Sequence, residues 1–119
     1  VTRRSTDILA LEDVEVAQAM HFIRDNAKKP IQVDEVVDAV AVSRSALQER
    51  FRKILGRTIH DEIKRARIAQ VARLLTETND PISHISMVLQ FSTIEHLSRY
   101  FRQHTGLTPL AYRKKSDRK

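Results

Sequence analysis

Apolar residues recur at three- and four-residue intervals through nearly the whole chain, and strand-like alternation never lasts more than a few positions. Val16, Met20, Ile23 and Ala27 share one face of a first helix over about 13–27, ended by Lys28-Lys29-Pro30 because Pro30 disfavours helical geometry at Lys29. Val33, Val36, Val37 and Val40 line a short second helix. After a tight turn at Ala41-Val42, Ser43 is placed as N-cap of a third helix burying Leu47, Phe51 and Ile54, with Gly56 as its left-handed stop. Thr58 caps a long fourth helix, to about residue 77, with Ile59, Ile63, Val71, Leu74 and Leu75 on its buried side. Asp80-Pro81 reads as an N-cap with proline in the first helical position, opening a fifth helix that buries Ile82, Ile85 and Val88. Ser92 and Glu95 have capping-box spacing for a sixth helix, which buries Leu97 and Phe101 and stops at Gly106. Thr108-Pro109 starts a last short helix holding Tyr112, and the charged tail 114–119 is expected to fray.

This string of elements contains a repeat. Ser43, Leu47, Phe51, Arg52, Gly56 and Thr58 answer to Ser92, Leu97, Phe101, Arg102, Gly106 and Thr108, with an offset of 49 before the leucine and 50 after it. Gly56 and Gly106 are the only glycines of the chain and hold equivalent places. Each copy, 33–55 and 82–105, has the form of short helix, tight turn and capped longer helix. That is the helix-turn-helix pattern, in which the first helix holds the second at an angle that fits a major groove. One such pattern is weak evidence; two with matching Ser, Leu, Phe and Gly are strong.

Charge follows the repeat. Residues 1–42 carry five Lys/Arg against eight Asp/Glu, and residues 43–119 carry sixteen against seven, so the basic part coincides with the two copies. Such a distribution suits a polyanionic partner, although a solvated surface is also commonly basic. At 119 residues the chain is one domain or two small lobes sharing an element, and Val1 in place of an initiator methionine suits a piece of a longer protein. The absence of cysteine removes disulfides, thiolate zinc sites and cysteine nucleophiles. His21, His60, His84, His96 and His104 have no metal-ligand spacing, Ser43 and Ser92 are explained by capping, and there is no glycine-rich phosphate loop. No metal, cofactor or enzymatic reaction is expected.

At these residues the chain resembles the AraC family of bacterial transcription activators. The resemblance is carried by Arg3-Arg4-Ser5-Thr6-Asp7, Val42-Ser43-Arg44-Ser45-Ala46-Leu47, Arg67-Ile68, Leu74-Leu75 and, above all, by Phe101-Arg102-Gln103-His104-Thr105-Gly106-Leu107-Thr108-Pro109-Leu110-Ala111-Tyr112-Arg113. It covers about 14–113. It implies an all-α domain of seven helices in which one long helix joins two helix-turn-helix lobes: a linker at 1–12, a first lobe at 13–57, a connecting helix at 58–77, a second lobe at 78–113 and a tail. It further implies a sequence-specific reader of double-stranded DNA at the bacterial nucleoid, from an activator of sugar catabolism. A sugar effector, a pentose such as xylose, would bind a regulatory domain outside this chain, and an activator must also touch RNA polymerase. A connecting helix of about 20 residues spans roughly 30 Å, close to the separation of successive major-groove faces. The expected operator is therefore non-palindromic, with two contact boxes one helical turn apart.

The family positions make Arg44, Ser45, Gln48 and Glu49 the groove-facing candidates of the first reading helix, and Ile94, Glu95, Ser98 and Arg99 those of the second. Glutamine reads adenine, arginine guanine, carboxylate the cytosine amine, and an exposed isoleucine fits a thymine methyl. Each is equally compatible with plain helix surface, and for Glu95 the capping box is the favoured role. Ser43, Arg50, Arg52, Lys53, Arg57, Arg102 and Arg113 are candidates for phosphate contact, which strengthens binding without specifying sequence. Arg67, on the long helix, is expected to be structural. Three positions depart from the family pattern: Gln90 stands where the second motif usually has glycine, Ala41 fills the matching place in the first, and Val71 replaces a usual alanine. A non-glycine at a left-handed turn costs about 1 kcal/mol, so strain is expected near Gln90. The rival readings are a basic helical protein-interaction module and an RNA-binding helical domain, the latter disfavoured by the few aromatic stacking platforms.

Overall fold

Local hydrogen bonds close most of the helix ends among the described residues. A computed structural model describes residues 13–117; the segment Arg3-Arg4-Ser5-Thr6-Asp7 lies outside them. Among the described residues there are seven helices and no strand: α1 (Val14–Asp25), α2 (Val33–Asp38), α3 (Arg44–Leu55), α4 (Ile59–Glu77), α5 (Ile82–Val88), α6 (Ile94–Thr105) and α7 (Pro109–Asp117).

The described residues fall into two compact units, the first holding 13–27 and 31–66 and the second Lys28–Pro30 and 67–117, so that one boundary lies inside α4. In the first unit, Val16, Ala19 and Ile23 of α1 close over Val36 of α2, over Leu47, Phe51 and Leu55 of α3, and over Ile59 and Ile63 of α4. In the second, Ile68, Val71 and Leu75 of α4 join Ile85, Leu89, Phe91, Leu97 and Phe101 in a separate core, which Tyr112 flanks edge-on to Phe101 at 5.1 Å. The connecting helix at 58–77 is thus not a bare spacer: its two halves belong to different cores. Phe51 and Phe101 are both fully buried, and each such aromatic contributes about 1.5–3 kcal/mol through the apolar surface it removes from water.

Apart from α6, the helices depart from the sequence expectations in four places. Helix α1 stops at Asp25, before Lys28-Lys29-Pro30, because the Asn26 side-chain amide donates to Phe22 O at 2.8 Å and closes the last turn. Pro81 rather than Asp80 is the N-cap of α5 and provides no side-chain cap, while the Asp80 N–H donates to Thr78 Oγ1 at 3.2 Å. The buried stripe of α5 runs through Ile85, Ser86 and Leu89, which leaves Val88 41% exposed rather than inward. Finally, α7 continues to Asp117, so residues 114–117 are helical rather than frayed.

The most consequential departure concerns α6. Its N-cap is Thr93, whose Oγ1 accepts the His96 N–H at 2.9 Å. Ser92 lies one residue before the cap, with Oγ 3.2 Å from His96 Nδ1. Ser43 is the N-cap of α3, accepting from the Ala46 N–H at 3.2 Å, so Thr93 and not Ser92 is its counterpart. The offset of 50 therefore begins before the leucine, and Ser92 is itself the extra residue of the second copy. Helices α3 and α6 are both 12 residues long and end alike: Gly56 at φ 72° donates to Arg52 O, and Gly106 at φ 82° to Arg102 O.

Gln90 is the one non-glycine with positive φ among the described residues, at 61°. The Phe91 N–H reaches Ser86 O at 2.9 Å and the Gln90 N–H reaches Met87 O at 3.1 Å, the paired bonds of a Schellman stop. The expected strain sits at this position, whereas the first lobe turns through Ala39–Ser43 without a left-handed residue. Replacing Gln90 by Gly is expected to raise stability by up to about 1 kcal/mol, read as the urea-unfolding midpoint; a lowered midpoint would show that the glutamine carries no strain there.

Helix α4 opens on a reciprocal cap. Thr58 Oγ1 accepts the Asp61 N–H at 3.0 Å and Asp61 Oδ2 accepts the Thr58 N–H at 3.3 Å. Hydrogen bonds from the Thr58 backbone and hydroxyl hold the Asp61 carboxyl below its ordinary pKa, with smaller help from Lys64 and His60. A depressed pKa means stability that is present above the ordinary carboxylate value and lost as pH falls through the folded one. Asp61→Ala should accordingly melt below the wild type at pH 7, and the gap should close as pH drops below about 4. A gap that stays constant across that range in pH-dependent circular-dichroism melts would show that the ionised carboxylate carries none of the loss, since alanine itself favours the helix.

Candidate nucleic-acid interface

Because α3 and α6 start with side-chain caps and bury one stripe, the opposite stripe of their first two turns is left to solvent. In α3 the buried positions are Leu47, Phe51 and Leu55; Arg44, Ser45, Gln48 and Glu49 are all exposed. In α6 the buried positions are Leu97 and Phe101; Ile94, Glu95 and Arg99 are exposed and Ser98 is half-buried. Each set of four therefore forms one face within its own lobe. Ile94, Glu95, Ser98, Arg99, Arg102 and Gln103, with Thr108 of the next turn, surround an open depression of about 660 Å³ on the second lobe.

The cap at Thr93 sets the surroundings of Glu95. With Thr93 as N-cap, the residue three positions on is His96, so Glu95 is not a capping-box partner. Its carboxylate sits in the first turn of α6, facing solvent, where the helix dipole favours an anion. Arg44 in the first lobe is ion-paired with Asp34 of α2, the carboxylate accepting from the guanidinium Nη1. Both partners are exposed, so the pair contributes at most about 1 kcal/mol in water and is exchangeable for a base or phosphate acceptor.

The phosphate candidates separate into two groups. Arg50 donates to Glu15 at 2.9 Å with Asp13 at 3.8 Å, Arg57 is paired with Glu62 and donates to Leu55 O at 3.3 Å, and Arg113 donates to Leu75 O at 3.0 Å and Thr78 O at 3.3 Å. Arg113 thus satisfies carbonyls at the end of α4. Arg52 and Lys53, in the last turn of α3, and Arg102, in that of α6, are exposed. Ser43 is exposed as well, with its hydroxyl oxygen engaged in the cap of α3. Sequence reasoning did not separate these groups, because the acidic partners Asp13, Glu15 and Glu62 lie up to 37 residues from the arginines they meet.

Arg67 is buried, at 4% exposure, as expected of a structural residue. Its Nη2 donates to Leu89 O at 2.9 Å and its guanidinium carbon lies 4.5 Å from the centre of the Phe91 ring. Burial pushes the Tyr100 phenol above its ordinary pKa against the opposing pull of Arg67, and burial lowers that of Arg67.

Residues 36–115 match the model of a helix-turn-helix domain. The chain belongs to the AraC-type helix-turn-helix family. Like the rest of that family it is a DNA-binding domain of transcription regulators, and its homologues are not enzymes. It is 40% identical over 113 residues to the xylose operon regulatory protein of Escherichia coli strain K12, covering 95% of this chain and 29% of that protein. The structure of the xylose-binding transcription activator xylR superposes with a TM-score of 0.77 at 38% identity, covering 85% of this chain and 27% of that one. A regulator of the AraC type from Chromobacterium violaceum superposes with a TM-score of 0.80 at 26% identity, covering 90% of this chain and 96% of its own. The chain spans 29% of the length of the first curated relatives it matches. No helix among the described residues is long and apolar enough to cross a membrane.

The two groups of arginines give opposite expectations. Arg113→Met should lower stability by about 1–2 kcal/mol, through the carbonyls it leaves without their charged donor, and leave the salt dependence of duplex binding unchanged. Arg52→Ala should leave the melting temperature nearly unchanged and reduce the slope of log affinity against log salt by about one. Thermal melts and duplex titrations at several salt concentrations check both; a reduced slope for Arg113→Met would return that residue to the phosphate contacts.

Proposed function

We propose that this chain is the operator-reading end of a sugar-responsive transcription activator, with both helix-turn-helix lobes engaged on one duplex. The observation that supports it best is the repeated presentation in α3 and α6 of four outward positions on a capped helix of equal length. Arg44, Ser45, Gln48 and Glu49 read one box; Ile94, Glu95, Ser98 and Arg99 read the other. Arg52, Lys53 and Arg102 hold phosphates at the far ends of the same helices, with Ser43 at the near end of α3. Arg44 exchanges Asp34 for a guanine edge or a phosphate, and Arg50 and Arg57 exchange their carboxylates only where a phosphate comes close.

The 40% identity to a xylose operon regulatory protein supports a pentose, xylose foremost, as the signal, sensed by a domain outside this chain. In that arrangement the protein works in the bacterial cytoplasm on the nucleoid, and its further partner is RNA polymerase. A basic protein-interaction module is the rival, and it has no reason to repeat the same outward positions on two helices.

Selection of bound duplexes from a random library at physiological salt should enrich two boxes about one helical turn apart. Gln48→Ala and Arg99→Ala should each relax one box, by about 1–3 kcal/mol of discrimination per lost bidentate contact. Binding without enrichment, vanishing as salt rises, would leave only a non-specific basic surface. An unchanged first box with Gln48→Ala would remove that residue from the reading set.

A further inference from the structure

The second lobe carries a device that the first lacks. Helix α5 ends at a left-handed non-glycine, Gln90, and the next residue, Phe91, is 8% exposed. Carbonyls at the end of a helix have no intrahelical donor, so something else must satisfy them. At Leu89 the donor is the buried guanidinium of Arg67, at 2.9 Å. The same guanidinium lies over the Phe91 ring, whose edge contacts His96 and Tyr100 of α6, both with centroids 5.4 Å away. One planar cation from α4 thus touches the last carbonyl of the supporting helix and the ring against which the reading helix leans. His96 is also the residue whose N–H closes the Thr93 cap, so this chain of contacts runs into the first turn of α6. In the first lobe Val42 takes the place of Phe91 and Arg50 that of Tyr100, and the turn has no left-handed residue.

We infer that Arg67 is a positioning residue for base reading by the second lobe: through Leu89 O and the Phe91 ring it sets the angle at which α6 presents Ile94, Glu95, Ser98 and Arg99. This rests on the two-lobed reading proposed above. A lysine does not replace it, because an ammonium is a point donor and cannot both bond the carbonyl and lie flat on the ring. The first lobe, built without such a group, is the internal reference.

The test compares duplex selection by the 119-residue chain with that of Arg67→Met, Arg67→Lys and the double variant Arg67→Met/Gln90→Gly, each well below its melting temperature. For Arg67→Met the expected result is an about tenfold loss of preference at the second box, with the first box within about twofold of wild type. Gln90→Gly removes strain from the same turn and should return part of the lost melting temperature while the second-box preference stays lost. Preference that returns with the melting temperature, or that falls equally at both boxes, or that does not change, overturns the inference and leaves Arg67 a stabilising residue only. If Arg67→Met does not fold, Arg67→Lys is the reporter. The same split, at about threefold, supports positioning, and an equal effect on both boxes refutes it. A wild-type chain that enriches no second box overturns the two-lobed reading itself, and this inference with it.

Discussion

Helices α3 and α6 are each fixed at both ends by hydrogen bonds, and the other features of the two lobes depend on that constraint. A hydroxyl at Ser43 or Thr93 accepts the free N–H three residues on, and a glycine in the left-handed region donates back at the other end, 13 residues after the cap in both cases. Between those stops the inward stripe is set by Leu47 and Phe51, or by Leu97 and Phe101, all fully buried. Once ends and inward stripe are set, the outward stripe follows from helical geometry. The position of the four candidate readers in each lobe is therefore a consequence of capping and core packing, which does not dictate the identity of their side chains.

Most of the fold was legible because its signals are local. The hydroxyl caps at Ser43, Thr58 and Thr108, the glycines at 56 and 106, and the periodic apolar residues each act within a turn or two of their own position. What was misread shows where local reasoning fails. Ser92 and Thr93 are adjacent hydroxyls, and Glu95 stands three residues after Ser92, so the capping-box spacing points to the wrong one. The choice is made by Phe91, whose burial beneath Arg67 places the start of α6 one residue later. That contact spans 24 residues of sequence and leaves no trace in the local pattern. Pro81 and Val88 were displaced for a related reason, since α5 is short and its register follows the core formed by Ile85 and Leu89 rather than its own ends.

The candidate site was legible as a set of positions but not as a set of free charges. A count of Lys and Arg treats Arg50, Arg57 and Arg113 like Arg52 and Arg102, although the first three are already engaged by carboxylates or helix-end carbonyls. The difference matters for how a duplex is bound. An exposed cation releases counterions on meeting a phosphate, whereas a cation serving a carbonyl must first abandon it. Net charge therefore overstates the electrostatic footprint of this domain.

The two lobes share a frame and differ in what they ask of it. The first offers a face of Arg44, Ser45, Gln48 and Glu49, polar throughout, on a turn made of ordinary backbone. The second offers Ile94 and Arg99 with an acid between them, on a turn that keeps a glutamine in the left-handed region and a buried arginine beneath it. The left-handed glutamine costs stability that a glycine would spare, whereas the buried guanidinium stabilises the turn through Leu89 O and the Phe91 ring. Together they fix the backbone that leads from α5 into α6. A contact between an isoleucine side chain and a thymine methyl would have no hydrogen bond to correct its direction, so a lobe reading through Ile94 would depend more on the angle of its helix than one reading through flexible polar side chains.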